Sequence, residues 1–121
     1  MKLKFVLSSL FPAILMVALF LVHTSLAQPA PHRIEVTAKR FDFTPAEITL
    51  KKGEPVVLVL KSDDVAHGVR FKELGVEVKA GKGQTSETTF TPSKAGTFVG
   101  HCSVFCGSGH GKMTLTLQVV E

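Results

Sequence analysis

The 121-residue sequence contains neither tryptophan nor tyrosine, so its nine phenylalanines are the only aromatic residues. This excludes an interface built on Trp or Tyr anchors and a base-stacking platform rich in tyrosine. Basic residues never form a run longer than two. Residues 28–121 contain 12 Lys and Arg and 10 Asp and Glu. This nearly even charge balance argues against nucleic acid as a partner.

Cysteine is also scarce, because Cys102 and Cys106 are the only two in the sequence. Two cysteines exclude the disulfide framework that stabilises many small secreted domains. Apolar residues make up 45% of the chain and charged residues 20%, which is typical of a globular protein and not of a disordered one. The length allows one small domain.

The N-terminus has the pattern of an export signal. Lys2 and Lys4 precede an uncharged apolar stretch over residues 5–22, and Ser25 and Ala27 place small residues at the −3 and −1 positions of a cleavage site. The stretch approaches the ~20 residues that span a bilayer, so a retained membrane anchor is the alternative. In both cases the remainder is exported, to the periplasm or the outer face of the cytoplasmic membrane.

The sequence therefore predicts three parts. Residues 1–27 form an apolar helix that is a signal peptide or anchor, residues 28–32 a linker, and residues 33–121 one domain. Membrane contact is expected only through residues 5–22, and only if the segment is not cleaved.

The predicted domain consists of short strands. Ile34, Val36 and Ala38 alternate with polar residues, as in a half-buried strand, whereas residues 55–60 form a continuous apolar run that predicts a strand covered on both faces. Turn signals recur every 8–12 residues and separate about seven strands. This pattern predicts an all-β fold, an antiparallel Greek-key sandwich or barrel.

The residues with metal chemistry lie in a glycine-rich loop over residues 100–113. It contains Cys102, Cys106, His110 and Met113 in the spacing Cys-x3-Cys-x3-His-x2-Met. Sulfur ligands together with imidazole select copper or zinc, and a thioether favours copper. A mononuclear blue-copper site needs one cysteine, so the second suggests that both thiolates bridge two copper ions. His67 is the candidate upstream imidazole.

This loop resembles the binuclear CuA motif of cytochrome c oxidase subunit II and of nitrous oxide reductase. The preceding part, from Phe41-x-Phe43-x-Pro45 through His67, resembles small exported cupredoxins. The resemblance covers about residues 33–121. It implies a cupredoxin fold, two copper ions in a CuA centre, electron transport beside a respiratory chain, and a redox partner such as a cytochrome c or a haem-copper oxidase subunit.

The resemblance also implies the metal ligands. His67 and His110 would be terminal imidazoles and the two cysteines bridging thiolates. Met113 would be a weak axial ligand, and the backbone carbonyl of Val104 a weak ligand to the other copper. Subunit II proteins commonly have glutamate where this chain has Val104, and their electron-accepting tryptophan has no counterpart here. Both differences leave the copper site intact and argue against assembly into a conventional oxidase.

Simpler interpretations of the same residues exist. Cys102 and Cys106 could form a small disulfide, Met113 could be an ordinary core residue, and a histidine such as His67 is often structural. His101 is not a predicted ligand, because adjacent strand residues point to opposite faces and Cys102 faces the site.

Three functions follow from these readings. The preferred one is an electron carrier, more an electron-transfer protein than an enzyme by itself. The alternatives are a subunit II-like component of a terminal oxidase and a periplasmic copper-handling protein.

Overall fold

The computed structural model describes residues 30–121, so the predicted apolar helix lies outside the described residues. Within this range the chain forms nine strands and two single 3-10 turns. The strands are β1 (His32–Lys39), β2 (Asp42–Thr44), β3 (Glu47–Lys51), β4 (Val56–Ser62), β5 (His67–Phe71), β6 (Val76–Ala80), β7 (Thr85–Phe90), β8 (Gly96–Cys102) and β9 (Thr114–Val120). The 3-10 turns are Lys72–Leu74 and His110–Lys112. Neither turn is long and apolar enough to cross a membrane.

The strands form two packed sheets, which confirms the predicted all-β sandwich. One sheet has the order β2-β1-β4-β7 and the other β3-β9-β8-β5-β6. The expectation of purely antiparallel pairing is wrong, because β1 pairs with β4 and β3 with β9 in parallel. After β2 the chain crosses to the other sheet at β3, so β4 returns beside β1 in the same direction.

The first strand begins at His32, the last residue of the predicted linker. The His32 backbone N–H donates to the Pro55 carbonyl oxygen (2.9 Å), and His32 pairs with Val56 at the start of β4. The β1–β4 ladder therefore begins at His32.

The central position of β4 explains its apolar run. It pairs with β1 on one side and β7 on the other, and Val59 is buried although it points away from the core side of the strand. The Arg33–Glu87 ion pair (2.9 Å) joins the two neighbouring strands on that outer face. Lys61 on the same face is exposed, so the predicted coverage on both faces holds for the middle of the strand only.

The hydrophobic core lies between the sheets and continues to one end of the sandwich. Cys102, Cys106 and Met113 belong to this buried cluster. The β1–β2 turn, the β4–β5 loop and the β8–β9 loop meet there through hydrogen bonds among their residues. The fold thus brings three connections that are far apart in sequence to one buried place.

Candidate metal centre

His67 opens β5 and its side chain is fully buried. Its Nε2 lies 2.6 Å from the Asp64 Oδ1, whereas its Nδ1 has no hydrogen-bond partner. A buried polar atom without a partner costs free energy, so this nitrogen is well suited to bind a ligand. Because an ionised carboxylate can only accept a hydrogen bond, His67 donates its Nε2–H to Asp64, and Nδ1 keeps the lone pair that a metal requires.

Asp64, which the sequence analysis did not single out, holds this histidine. Its carboxylate accepts hydrogen bonds from the backbone N–H of Arg40 (2.9 Å) and of Val65 (2.7 Å). Partial burial raises the pKa of Asp64, but the Arg40 N–H and His67 outweigh this and hold the pKa well below its usual range. The carboxylate is therefore ionised and fixes the orientation of His67. An aspartate three residues before a candidate ligand was the available signal.

The two cysteines lie opposite His67. Both are buried and free, and their sulfur atoms are 3.8 Å apart, well beyond the ~2.05 Å of a disulfide bond. The structure therefore shows two thiols and not the alternative disulfide. The two sulfur atoms and a ring nitrogen of His67 all lie within 4.8 Å of one another.

The Cys106 thiol is held in its neutral form in the metal-free protein. Burial, reinforced by the adjacent Cys102 thiol, raises the pKa of Cys106 to about 11. A bound metal ion reverses this preference, because coordination stabilises the thiolate directly. Loading the site therefore releases the proton of the Cys106 thiol.

The remaining candidate ligands surround the same sulfur atoms. His110 Nδ1 and Met113 Sδ each lie 3.8 Å from the Cys106 sulfur, and the Val104 carbonyl oxygen lies 3.1 Å from the Cys102 sulfur. Met113 is also fully buried, so it serves as a core residue as well. All six residues singled out in the sequence come together, and their assignment as metal ligands stays a prediction.

Two neighbours of the cysteines point elsewhere. His101 is exposed and pairs with Arg70 and Thr114 on the outer face of its sheet, away from the sulfur atoms. Phe105 is 79% exposed, and its ring centroid lies 5.6 Å from that of His110. It therefore covers the edge of the site at the surface and is not part of the core.

The donor set fits copper. It offers two imidazoles, two thiols, a thioether and a carbonyl, and the thioether distinguishes copper from zinc. The partnerless Nδ1 of His67 beside the two sulfur atoms is a second, independent feature that fits a metal ion at this place.

Replacing Asp64 tests the orientation of His67. Asp64→Asn is expected to weaken copper binding about tenfold or more, as losses of carboxylates behind histidine ligands commonly do. The matched control is Asp63→Asn, which removes the same charge from the adjacent, more exposed carboxylate near Lys61 (3.9 Å). Competition titration with a copper chelator measures both. Equal effects of the two changes would show that only charge matters here.

Known proteins resemble this chain over most of its length. The family model for the cupredoxin-like domain matches residues 12–115. A heme-copper terminal oxidase, solved by cryo-EM as a dimer, is 28% identical, with 78% of this chain and 69% of that chain covered and a TM-score of 0.67.

Two further structures share the fold. The periplasmic domain of cytochrome oxidase subunit II from Bradyrhizobium japonicum is 24% identical, with 78% of this chain and 88% of that chain covered and a TM-score of 0.69. Auracyanin A, a blue copper protein from Chloroflexus aurantiacus, is 23% identical, with coverage of 75% and 100% and a TM-score of 0.62. The chain therefore belongs to the cupredoxin-like domain family, and its Cys102, Cys106 and His67 lie close together as in a CuA site.

Proposed function

We propose that this chain is an electron carrier with a binuclear, CuA-type copper centre. The observation that carries the proposal is the pair of buried, free thiols 3.8 Å apart beside the partnerless Nδ1 of His67. A mononuclear blue-copper site uses one thiolate, so a second thiolate in the same buried place supports a second metal. When bound, the copper pair supplies a one-electron couple shared between two metals.

The copper ions would be held by the residues that the family resemblance implies. Cys102 and Cys106 would supply two thiolates, and His67 Nδ1 and His110 two imidazoles. Met113 would contribute a weak thioether and Val104 its backbone carbonyl.

The fold limits movement of these donors. Cys102 pairs with Val69 across β5 and β8, and its N–H donates to the Met113 carbonyl oxygen (3.1 Å). His67 pairs with Ala80 in β6. Distortion energy grows about quadratically with atomic displacement. Ligands that are held on strands move little, and a charge change shared by two metals would alter each set of bonds less. Both effects would keep the reorganisation energy of electron transfer small.

We also infer the layout of the whole chain. Residues 1–27 direct export or anchor the protein, and residues 28–32 connect them to the domain at 33–121. The support is the N-terminal pattern of Lys2, Lys4 and the small residues before Gln28, together with the fold likeness to a domain that is periplasmic in another protein.

The identity of the loop residue Val104 favours a free carrier over an oxidase subunit. Its carbonyl oxygen lies beside Cys102, but its side chain lacks the carboxylate of the glutamate that oxidase subunits II commonly have at this position. A small redox protein such as a cytochrome c is the proposed partner. The 28% identity to a terminal oxidase keeps the subunit II-like role as the second candidate, which co-purification with a haem-copper subunit would establish.

The copper content of the loaded protein tests the proposal. Two copper atoms per chain are expected, with the absorption and EPR spectrum of a delocalised pair. One copper with a blue mononuclear spectrum would contradict the binuclear centre and leave the cupredoxin fold intact. Tight binding of Cu(I) without a reversible redox couple would instead identify a copper-handling protein.

A further inference from the structure

We propose that Arg40 is a positioning residue that holds the Cys106 end of the β8–β9 loop against the loop that carries His67. The proposal rests on the copper site proposed above and is independent of any electron-transfer partner. Arg40 lies in the β1–β2 turn, which supplies none of the six candidate ligands.

Arg40 contacts both halves of the site with two different groups. Its side-chain Nε donates to the Cys106 carbonyl oxygen (2.8 Å), which is 66 residues away in sequence. Its backbone N–H donates to the Asp64 Oδ2 (2.9 Å), and the other oxygen of that carboxylate holds His67. Arg40 therefore links the backbone of Cys106, through Asp64, to the imidazole of His67 and fixes their relative positions.

Cys106 needs this support more than Cys102 does. Cys102 is the last residue of β8 and is held by strand pairing, and the next residue donates its N–H to the Gly68 carbonyl oxygen (3.1 Å). Cys106 lies beyond the end of the strand. Apart from the thiol contacts with Cys102 at the end of β8, the Arg40 bond is the one hydrogen bond among the described residues that joins residues 104–109 to a part of the chain outside the β8–β9 loop and its 3-10 turn.

The neighbouring Phe41 strengthens the same contact from the apolar side. A Cβ built at Gly109 would lie 2.5 Å from the Phe41 ring, and one at Gly107 would lie 3.0 Å from it. Gly107 also has a φ of +138°, which side chains rarely adopt. The loop backbone at Gly107 and Gly109 therefore packs directly against the Phe41 ring. The hydrogen bond from Arg40 to the Cys106 carbonyl oxygen then fixes the position of the loop along that ring.

The side-chain contact can be removed without the backbone contact. Arg40→Gln deletes the guanidinium but retains the backbone N–H that donates to Asp64. Because Arg40 is an exposed residue, the copper-free variant is expected to fold normally. Arg33→Gln is the matched control. It removes the same charge near the other end of β1, where Arg33 is paired with Glu87 on the outer face.

Two measurements are made on the full chain. The first is amide hydrogen exchange of residues 103–109 in the copper-free protein, which is expected to become about tenfold faster in Arg40→Gln and to stay unchanged in Arg33→Gln. The second is the rate of copper loss to a chelator, which is expected to rise about tenfold in Arg40→Gln only.

The conservative variant Arg40→Lys keeps the positive side-chain charge but removes the guanidinium that donates to the Cys106 carbonyl oxygen. Because lysine lacks the planar guanidinium, it is expected to resemble Arg40→Gln in both measurements. Unchanged exchange in Arg40→Gln, or an equal acceleration in Arg33→Gln, would overturn the positioning role. If the parent protein binds one copper, the binuclear proposal fails, but the exchange measurement still decides the role of Arg40.

Discussion

Replacement of either cysteine by serine is expected to reduce the copper content of the loaded chain from two ions to one or none. Each sulfur is proposed to bridge the pair, so Cys102→Ser and Cys106→Ser both remove a ligand from two metals at once. A serine hydroxyl is a far weaker and harder donor for copper than a thiolate. Elemental analysis and the absorption spectrum measure the result, and the spectrum of a delocalised pair is expected to vanish in both variants.

The fold must survive for this result to be informative. A buried hydroxyl without a full set of partners costs about 1–3 kcal/mol, which a domain of ordinary stability tolerates. Ser108→Ala is the matched control, since Ser108 is exposed in the same loop between Cys106 and His110. Circular dichroism of the copper-free variants checks the fold. If either cysteine variant kept two coppers and the parent spectrum, that cysteine would not be a bridge.

The local part of this site was readable from the sequence. Cys102, Cys106, His110 and Met113 lie within twelve residues, and a short loop between two strands brings such residues together whatever the rest of the fold does. His67 lies outside this loop, and it was a candidate only because the loop calls for a second imidazole from an earlier strand. Alternation of apolar residues likewise predicted the strands, because it records which face of each strand is buried.

The contacts between residues far apart in the sequence could not be predicted from local spacing. Arg40 reaches Asp64 and Cys106, which are 24 and 66 residues away, and nothing in the local spacing of a Lys-Arg pair at a turn indicates those contacts. The parallel pairing of β1 with β4 was missed for a related reason. Alternation shows which side of a strand faces the core but not which strand lies beside it.

Within the proposed ligand set, His67 and Met113 are expected to differ sharply in effect. His67→Ala removes a strong imidazole ligand and leaves the Asp64 carboxylate without its 2.6 Å partner beside a buried cavity. Loss of at least one copper is expected, because no other described side chain occupies that position. Met113→Leu conserves volume in the core and costs less than about 1.5 kcal/mol in stability.

Met113→Leu is therefore expected to keep both coppers and to raise the reduction potential, because losing a neutral axial donor disfavours the oxidised form. Copper analysis and protein-film voltammetry on the two variants distinguish the roles. Leu115→Met is a control for packing, since Leu115 is fully buried in β9 two residues away and is not among the proposed ligands. It should change neither copper content nor potential. Equal copper loss in His67→Ala and Met113→Leu would show that the thioether is a strong ligand and that the proposed division between strong and weak donors is wrong.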